Sequence, residues 1–378
     1  MRGHSAVGNV RPNIRTTIPS KWKMQDDQTQ EINSGKAVIN RVLLVTGSAP
    51  PDACGVGDYT QSLAAALEKA GLQVSLFCHR DWSMFGTSWA IRKLLAAKDS
   101  LVHIQYPTMG YGHSLGPQFC ALVKPSVVTI HEFSLAHPLR KLSLLPFTMR
   151  SLCLMTPSEF ERRLLLRKMP WIGHRIRVIP IGSNILPPQT PSENRQESIT
   201  YFGLIMPRKG LEDFIELSRL VREKGLNWDL LVVGRIAPGQ AVYAKSLFER
   251  SHTLRIRWIL DQSAEDVSTL LSRAGIGYLP FPDGASERRG SLKAALAAGL
   301  PCITTRTEQT PQELSDAVMF AATPAKALES ALRLMTNGTE RQRLSRVAFE
   351  YSQQFTWEKI AESHLQIYQE LYATRLGN

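Results

Sequence analysis

Short apolar runs alternate with amphipathic stretches along most of this chain. The first run, Val42 to Val45, is rich in β-branched residues and is followed by turn-forming residues, a pattern typical of a buried parallel strand. From Tyr59 to Ala70 apolar residues recur at helical spacing, and Gly71 follows them, which predicts a helix. The same alternation continues to about residue 181 and starts again at about residue 198.

A polar, proline-rich segment divides this alternation into two halves and has the composition of a linker. Strand–helix alternation in each half predicts an α/β chain with two doubly wound, Rossmann-like domains that face a cleft. The predicted parts are a flexible polar extension (1–38), a first domain (39–181), the linker (182–197), a second domain (198–352) and a C-terminal helical segment (353–378).

Composition and charge narrow the classes of protein. The 378 residues are 43% apolar and 21% charged, which indicates a globular chain. Five scattered cysteines without a Cys-x-x-Cys pair predict reduced thiols, a cytoplasmic location and no structural zinc. We expect neither a membrane span nor a signal peptide, because no sufficiently long apolar run is present. The net charge of +12 indicates polyanionic partners, namely nucleic acid, an anionic membrane or phosphorylated ligands.

A polar loop between a strand and a short helix is the first candidate site. The segment 279–301 leaves a buried strand, crosses a loop with two arginines, and enters a helix for which Ser291 is the predicted N-cap. Gly299 fits the left-handed position that ends a helix. Because the first turn of a helix offers free N–H groups to anions, this segment predicts a phosphate site.

Two further glycine-containing loops follow predicted strands. Gly55 and Gly57 lie between a strand and a helix, where glycine lets the backbone approach a phosphate or sugar. The third glycine of a dinucleotide fingerprint is missing, which argues against a dehydrogenase, and a simple tight turn is the alternative. In the second half, Gly203 leads to Arg208 and Lys209, two cations that can neutralise a diphosphate. A solvated basic turn is the alternative there.

His131 directly follows the apolar run 127–130 and therefore marks the carboxyl end of a buried strand, where such sheets bind ligands. It can donate to a hydroxyl or shuttle a proton near neutral pH, with Glu132 beside it. A structural histidine is the alternative. His103 and Gln105 end another predicted strand and are expected to shape the same cleft.

Residues 140–177 hold nine Lys and Arg against two glutamates, with apolar residues interleaved in the early part. This pattern predicts either a surface that lies on anionic lipid at the inner face of the membrane or a solvated helix face. Nucleic acid is not expected as a partner, because no recognition motif or aromatic stacking platform is present. Metal-binding clusters are also missing from the sequence, so amides and cations are expected to hold the phosphates.

Six motifs, in their order and spacing, resemble those of the GT-B retaining glycosyltransferases of family 4, the glycosyltransferase group 1 set. The resemblance covers about residues 41–372. The six segments are Cys54 to Tyr59, Thr129 to Glu132, Thr156 to Glu159, Ile179 to Asn184, Phe202 to Gly210, and 279–301. The resemblance implies a GT-B fold with acceptor binding in the first domain and nucleotide-sugar binding in the second. It also implies that the C-terminal helix returns to the first domain.

The resemblance further implies roles for single residues. Gly55 and Gly57 would lie against the donor phosphates or sugar, and His131 would lie near the reacting carbon. Lys209 would neutralise the diphosphate. The implied donor-binding residues are Gly55, Gly57, Gly203, Arg208, Lys209, Arg289, Gly290, Ser291 and Leu292, and the implied catalytic residues are His131, Lys209 and Glu287. Arg288 and Arg289 would both strengthen phosphate binding.

Two positions depart from the family pattern. The family's arginine after the first glycine of the Lys209 loop is Leu204 here, and Arg208 is expected to replace it. The family's two glutamates fall on Ser286 and Ala294. We expect Glu287 to take the first role, whereas the second glutamate, usually a ribose ligand, is missing.

The prediction is metal-independent transfer of a sugar from a nucleotide diphosphate sugar to an acceptor hydroxyl, with retention of anomeric configuration. No cofactor is expected beyond the nucleotide sugar as co-substrate. The acceptor classes left open are a glycan, a lipid-linked oligosaccharide and a small molecule. Two alternatives are a non-catalytic GT-B scaffold that binds a nucleotide or glycan, and a GT-B sugar-nucleotide epimerase.

Overall fold

The computed structural model describes residues 39–376, except residues 53, 135, 184 and 186–194. The predicted extension, residues 1–38, lies outside the described residues, as does most of the predicted linker. The described residues belong to one compact unit, Ala37–Asn378. Within it the strands form two separate six-stranded sheets.

The first half of the chain forms a parallel sheet in the order β2-β1-β3-β4-β5-β6. Its strands are β1 (Arg41–Thr46), β2 (Gln73–Cys78), β3 (Leu101–Tyr106), β4 (Val127–Ile130), β5 (Cys153–Thr156) and β6 (Ile176–Val178). Its helices are α1 (Gly55–Lys69), α2 (Met84–Ala96), α3 (Gly116–Val123), α4 (Pro138–Leu142), α5 (Leu145–Arg150) and α6 (Glu159–Lys168). Every residue of β3, β4 and β5 is buried, as expected for central strands that read as apolar runs.

The second half forms a parallel sheet in the order β12-β11-β10-β7-β8-β9. Its strands are β7 (Ser198–Ile205), β8 (Asp229–Ile236), β9 (Ile256–Leu260), β10 (Ile276–Leu279), β11 (Cys302–Thr304) and β12 (Val318–Phe320). Its helices are α7 (Leu211–Glu223), α8 (Ala241–Ser251), α9 (Ala264–Arg273), α10 (Gly290–Ala297), α11 (Pro324–Thr336) and α12 (Gly338–Ser352). A last helix, α13 (Trp357–Leu376), follows. The predicted α/β class with two Rossmann-like sheets is confirmed.

The strand order of the second sheet reverses between β7 and β10, which are hydrogen-bonded neighbours. Read from β9 to β12, this is the order of a dinucleotide-binding sheet, in which ligands bind outside the carboxyl ends of the strands at the reversal. The loops that leave β7 and β10 contain Lys209 and Arg289. The topology therefore places two segments that were singled out separately in the sequence side by side.

Helix α13 packs against α1, at the first sheet. The hydroxyl of Tyr368, which is buried on α13, lies 2.6 Å from Nδ1 of His103 on β3. The chain passes from the first half to the second after β6 and returns before α13. These two crossings meet, because Trp357 Nε1 donates to the carbonyl of Ser183 at 2.9 Å. The C-terminal segment thus ties both crossings to the first sheet.

Arg195, near the end of the predicted linker, is a structural anchor of the second sheet. Its guanidinium donates to the carbonyls of Ser272 and Ala274 at 2.9 Å, and to those of Ala298 and Gly299 at 2.9 and 2.7 Å. These carbonyls lie at the ends of α9 and α10, so one cation caps both helices. Burial lowers the pKa of Arg195 to about 10, which leaves it charged at neutral pH.

Candidate active site

Three cationic side chains converge where β7 and β10 end. Lys209 lies in the loop between β7 and α7, and Arg288 and Arg289 lie in the loop between β10 and α10. Burial and, after it, the positive charges of Arg289 and Arg288 lower the pKa of Lys209. Like charges held this close repel each other. An anion that binds among them relieves this repulsion and lowers the free energy of the site. We call Lys209, Arg288 and Arg289 the cation cluster.

The two loops that carry the cation cluster touch through their backbones. Gly210 has a left-handed φ of 84°, and a Cβ added there would lie 1.9 Å from the carbonyl oxygen of Pro280. Only glycine combines this conformation with this approach. On the other side, the hydroxyl of Tyr201 donates to the carbonyl of Lys209 at 3.1 Å. The backbone of Lys209 is therefore held between the sheet and the second loop.

Arg289 is fixed above an aromatic ring. Its guanidinium carbon lies 4.7 Å from the centroid of Phe281, and one nitrogen pairs with the carboxylate of Asp283. Burial lowers the pKa of Arg289. Its Nε is buried and has no hydrogen-bond partner among the described residues. A buried donor without a partner costs free energy, which a bound acceptor group such as a phosphate would recover.

Helix α10 begins at Gly290, one residue before the predicted N-cap Ser291. The N-cap is Arg289, whose backbone is extended and whose carbonyl accepts from Lys293 N at 3.0 Å. The predicted cap was wrong because this bond starts the helix earlier than the side chain of Ser291 suggested. Gly290 is exposed, and a Cβ there would meet nothing within 4 Å. First-turn amides such as those of Gly290, Ser291 and Leu292 have no intrahelical acceptor and suit an anion.

Gly203 lies in strand β7, whereas Arg208 lies in the loop that follows it. Gly203 is part of β7 and pairs with Gly234, rather than lying in the loop as predicted. A Cβ on Gly234 would lie 2.0 Å from the carbonyl oxygen of Gly203. The close approach of the two strands therefore requires glycine at residue 234. Arg208 is exposed and has a left-handed φ of 64°, which is uncommon for a residue other than glycine.

His131 is buried at the carboxyl end of β4, beside Tyr59. Its Nε2 lies 2.8 Å from Oε1 of Gln105, and since that oxygen can only accept, Nε2 donates. Burial lowers the pKa of His131 to about 3, so the ring is neutral at pH 7. This state fits a hydrogen-bonding role better than the proton shuttle near neutral pH suggested by the sequence. His103, expected in the same cleft, is fully buried against α13 instead.

Gly55 and Gly57 lie in the first turn of α1 rather than in a loop before it. Gly57 is buried, and a Cβ there would lie 2.8 Å from the carbonyl oxygen of Ser48. Glycine is therefore required at residue 57 by packing alone. Gly55, in contrast, is exposed, and a Cβ there would meet nothing within 4 Å.

Glu287 faces the first half of the molecule. Its carboxylate accepts a hydrogen bond from the backbone of Glu159, the first residue of α6, while burial raises its pKa and nearby Lys293 lowers it. The structure thus places the carboxylate predicted as catalytic at the N-terminus of a first-sheet helix, where a negative charge is stabilised. Its catalytic role stays a prediction.

Arg288 was expected to strengthen phosphate binding, but its guanidinium pairs with carboxylates of the first half. Nη1 lies 3.1 Å from Glu161 Oε1 and 3.9 Å from Glu132 Oε1. In the sequence Glu161 fitted the last position of a capping box that begins at Ser158. Ser158 Oγ does accept from Glu161 N at 3.2 Å. The carboxylate of Glu161, however, contacts residues that are distant in sequence, which no local pattern reveals.

Lys293 is a buried lysine beside the chain crossings. Its Nζ donates to the carbonyl of Ile181 at 2.5 Å and lies 4.5 Å from the ring centroid of Phe355. Burial lowers the pKa of Lys293 to about 7, although Glu287 acts in the opposite direction. A lysine with this pKa makes the stability of the protein depend on pH.

Lys293→Met is expected to flatten the rise of stability with pH above neutrality. An unfolded lysine keeps its proton up to about pH 10.4, whereas the folded protein releases it near pH 7. Between these values the unfolded state holds more protons, so stability increases with pH by at most about 1.4 kcal/mol per pH unit from this group. Urea unfolding at several pH values between 7.5 and 9.5 measures the slope.

The exposed Lys326, paired with Glu329, provides the matched control. Lys326→Met should keep the slope of the wild-type protein. Equal slopes for Lys293→Met and the wild type would contradict the lowered pKa of Lys293.

Three properties of the described chain bear on the site. Over residues 39–376, apart from the gaps given above, no group of three or more His, Cys, Asp or Glu side chains is arranged to hold a metal ion. None of the helices in that part of the chain is long and apolar enough to cross a membrane. All five cysteines are free.

Comparisons with known proteins agree with this architecture. Residues 196–337 match the family model for glycosyl transferases group 1. No curated protein matches the chain. Among solved structures, sucrose-phosphate synthase from Thermosynechococcus elongatus is similar, with a TM-score of 0.66, 16% identity, and coverage of 89% of this chain and 100% of the other.

Two further structures show the same likeness. HepE from Anabaena, in complex with UDP and glucose, has a TM-score of 0.62 and 13% identity, over 86% of this chain and 98% of the other. WaaG, a glycosyltransferase involved in lipopolysaccharide biosynthesis, has a TM-score of 0.59 and 15% identity, over 86% of this chain and 99% of the other. The chain therefore has the GT-B fold of these glycosyltransferases, and its residues 196–337 match glycosyl transferases group 1.

Proposed function

We propose that this protein transfers a sugar from a nucleotide diphosphate sugar to an acceptor hydroxyl, without a metal ion and with retention of anomeric configuration. The observation that carries the proposal is the cation cluster at the β7–β10 reversal, beside the open first turn of α10. In such sheets this is where nucleotides bind. The match of residues 196–337 to glycosyl transferases group 1 supports the same site.

The chemistry we propose is mainly electrostatic. As the bond between the sugar and the diphosphate breaks, negative charge grows on the leaving diphosphate. In this proposal Lys209, Arg289 and the α10 amides stabilise that charge, and the contacts of the Lys209 backbone with Tyr201 and of Arg289 with Phe281 hold two of these groups in place beforehand. Groups arranged in advance stabilise developing charge without reorganising, which lowers the barrier. They also supply the positive charge that a divalent ion would otherwise provide.

Retention follows if the acceptor hydroxyl attacks on the face that the diphosphate leaves. The hydroxyl proton then passes to the departing phosphate, and no protein nucleophile is needed. In this proposal the acceptor binds on the side of the first sheet, and neutral His131 contacts the sugar through hydrogen bonding. Its ring is oriented by the bond from Nε2 to Gln105.

A donor screen tests the proposal. UDP-, GDP-, ADP- and dTDP-sugars are each added to the protein, and the melting temperature and the release of nucleoside diphosphate are measured. A donor that binds the native state raises the melting temperature by mass action. UDP-glucose is the first to test, because the HepE structure holds UDP and glucose.

The outcomes separate the three functions. Release of nucleoside diphosphate that depends on an added acceptor supports a transferase. Binding without release by any donor favours the scaffold, and a changed sugar configuration without acceptor favours the epimerase. Analysis of the product's anomeric configuration then tests retention, and activity in EDTA tests metal independence.

We further propose that the first half attaches peripherally to an anionic membrane surface, where a lipid-linked acceptor would be presented. Three large apolar side chains on and beside α4 and α5, Leu139, Leu142 and Met149, are each more than 60% exposed. The basic residues Arg140 and Arg150 lie among them. Apolar side chains beside cations match the boundary between lipid tails and anionic headgroups.

Replacing Leu139, Leu142 and Met149 together by Asp should lower binding to vesicles that contain phosphatidylglycerol by at least about tenfold, because each change removes apolar burial and adds repulsion. Vesicle sedimentation measures this. Val242→Asp in the second half, at an apolar residue that is even more exposed, is the control. Equal binding by all the proteins, or no binding by the wild type, would refute the membrane contact.

A further inference from the structure

Glu161 is a completely buried carboxylate on α6. Its Oε2 accepts from the backbone N–H groups of Phe133 and Ser134, both at 3.0 Å, and its Oε1 accepts from Ser134 Oγ at 2.6 Å. These donors stabilise the charge and fix the chain immediately after His131. A buried carboxylate also requires a counter-charge, because desolvation of an unpaired ion is costly.

That counter-charge comes from the other half of the molecule. Arg288 Nη1 lies 3.1 Å from Glu161 Oε1, and Nη2 donates to Gln309 Oε1 at 3.1 Å. Gln309 in turn donates to the carbonyl of Asp283 at 2.6 Å. The guanidinium is only 16% exposed. One side of Arg288 is therefore held by the first sheet and the other side by the loop that carries the donor site.

The pair connects two segments on which the proposed reaction depends. In the first half of the molecule, Glu161 on α6 holds the residues that follow His131. In the second half, Arg288 directly precedes Arg289, the N-cap of the candidate phosphate helix α10. The distance between the histidine and the phosphate site is thus set partly by one buried ion pair. Such a pair adds little net stability, but it fixes relative position well because guanidinium and carboxylate geometry is directional.

We propose that Arg288 is a positioning residue, which through Glu161 holds the donor site of the second half in register with the His131 segment of the first. The inference rests on the proposed function, since it assigns Arg288 to the alignment of that reaction rather than to donor binding. Arg288 is thereby separated in role from its neighbours in the cation cluster, Lys209 and Arg289, to which the proposed function assigns the diphosphate.

The test compares Arg288→Met, Arg288→Lys and Glu161→Gln with the wild type. Turnover is measured with a donor from the screen, and binding affinity is measured with inorganic pyrophosphate. The separation of the two halves is measured by small-angle X-ray scattering without ligand. Arg288→Met should lower kcat about 100-fold, the loss typical of a misplacement near 1 Å. Its Kd for pyrophosphate should stay within about threefold, since binding shared by ground and transition states is kept. Its radius of gyration should increase.

Arg288→Lys keeps the charge but loses the planar fork, so it should recover part of the lost turnover. Glu161→Gln should reproduce Arg288→Met, and the double variant should be no worse than either single change, because residues that act as a unit are not additive. Arg219→Met is the matched control. Arg219 pairs with Glu216 on the exposed face of α7, and its loss should change none of the three measurements.

Three outcomes would overturn the proposal. Equal losses of turnover and pyrophosphate affinity in Arg288→Met would make Arg288 a donor ligand. Wild-type turnover with only a lower melting temperature would make the pair a structural contact. If the wild-type protein turns over no donor, the proposed function fails. The scattering measurement alone then tests whether the ion pair holds the two halves together. An unchanged radius of gyration in Arg288→Met would show that Arg288 does not hold the two halves.

Discussion

Lys209→Ala is expected to lower turnover by about 100-fold to 1,000-fold, the effect of removing one preorganised group from a developing negative charge. Lys209 sits at the reversal of the second sheet, where burial and two arginines lower its pKa. A cation held against such repulsion is stabilised most when a polyanion is bound. Its loss should therefore be felt more strongly in the transition state than in the resting enzyme.

The same repulsion predicts that folding survives the change. Removing the Lys209 ammonium relieves its like-charge interactions with Arg288 and Arg289. The contact from Tyr201 is to the backbone carbonyl of Lys209, which alanine retains. The melting temperature should therefore stay the same or rise slightly. A large fall would mean that the side chain is structural.

Steady-state kinetics with the donor from the screen, together with thermal melts, measure both effects. Lys209→Arg keeps a cation and should retain more activity than Lys209→Ala. Lys224→Ala, at the C-cap of α7 in the same half, is the control that should leave kcat unchanged. Full activity in Lys209→Ala would show that the diphosphate does not bind at this loop.

Most of the fold could be predicted from local sequence patterns. Central strands such as β4 and β5 are buried on both faces, so they appear in the sequence as mainly apolar runs, which can be recognised without tertiary information. The loops around Lys209 and Arg289 were found because each combines cations with a strand end. Their adjacency followed only from the strand order, which a linear pattern does not contain.

The properties that the sequence did not reveal belong to residues whose partners lie far away in sequence. Ser158 caps α6 as its sequence pattern indicated, but the contacts of the buried Glu161 carboxylate with Ser134 and Arg288 were not predicted. For His131 the sequence left open a donor to a hydroxyl, a proton shuttle and a structural histidine, and burial, which lowers its pKa to about 3, argues against the shuttle. Burial and pairing are properties of the assembled sheets, so neither could be seen in a single segment.

Gly210→Ala is expected to destabilise the protein by about 2–5 kcal/mol, the sum of about 1–2 for a left-handed residue and about 1–3 for overpacking. The φ of Gly210 is 84°, and the new Cβ would lie 1.9 Å from the carbonyl oxygen of Pro280. Because the obstacle is backbone rather than a flexible side chain, the two loops must separate. That movement carries Lys209 away from Arg289, so turnover should fall even in the fraction that stays folded.

Gly225→Ala separates the two contributions. Gly225 has a similar φ of 71°, but a Cβ there would meet nothing within 4 Å. Its substitution should therefore cost only the conformational part, about 1–2 kcal/mol, and leave turnover unchanged. Urea unfolding of both variants gives the difference, which measures the contact between the Gly210 and Pro280 loops. Equal costs would show that the loops do not meet, and a phosphate site shared between Lys209 and Arg289 would then lose its structural basis.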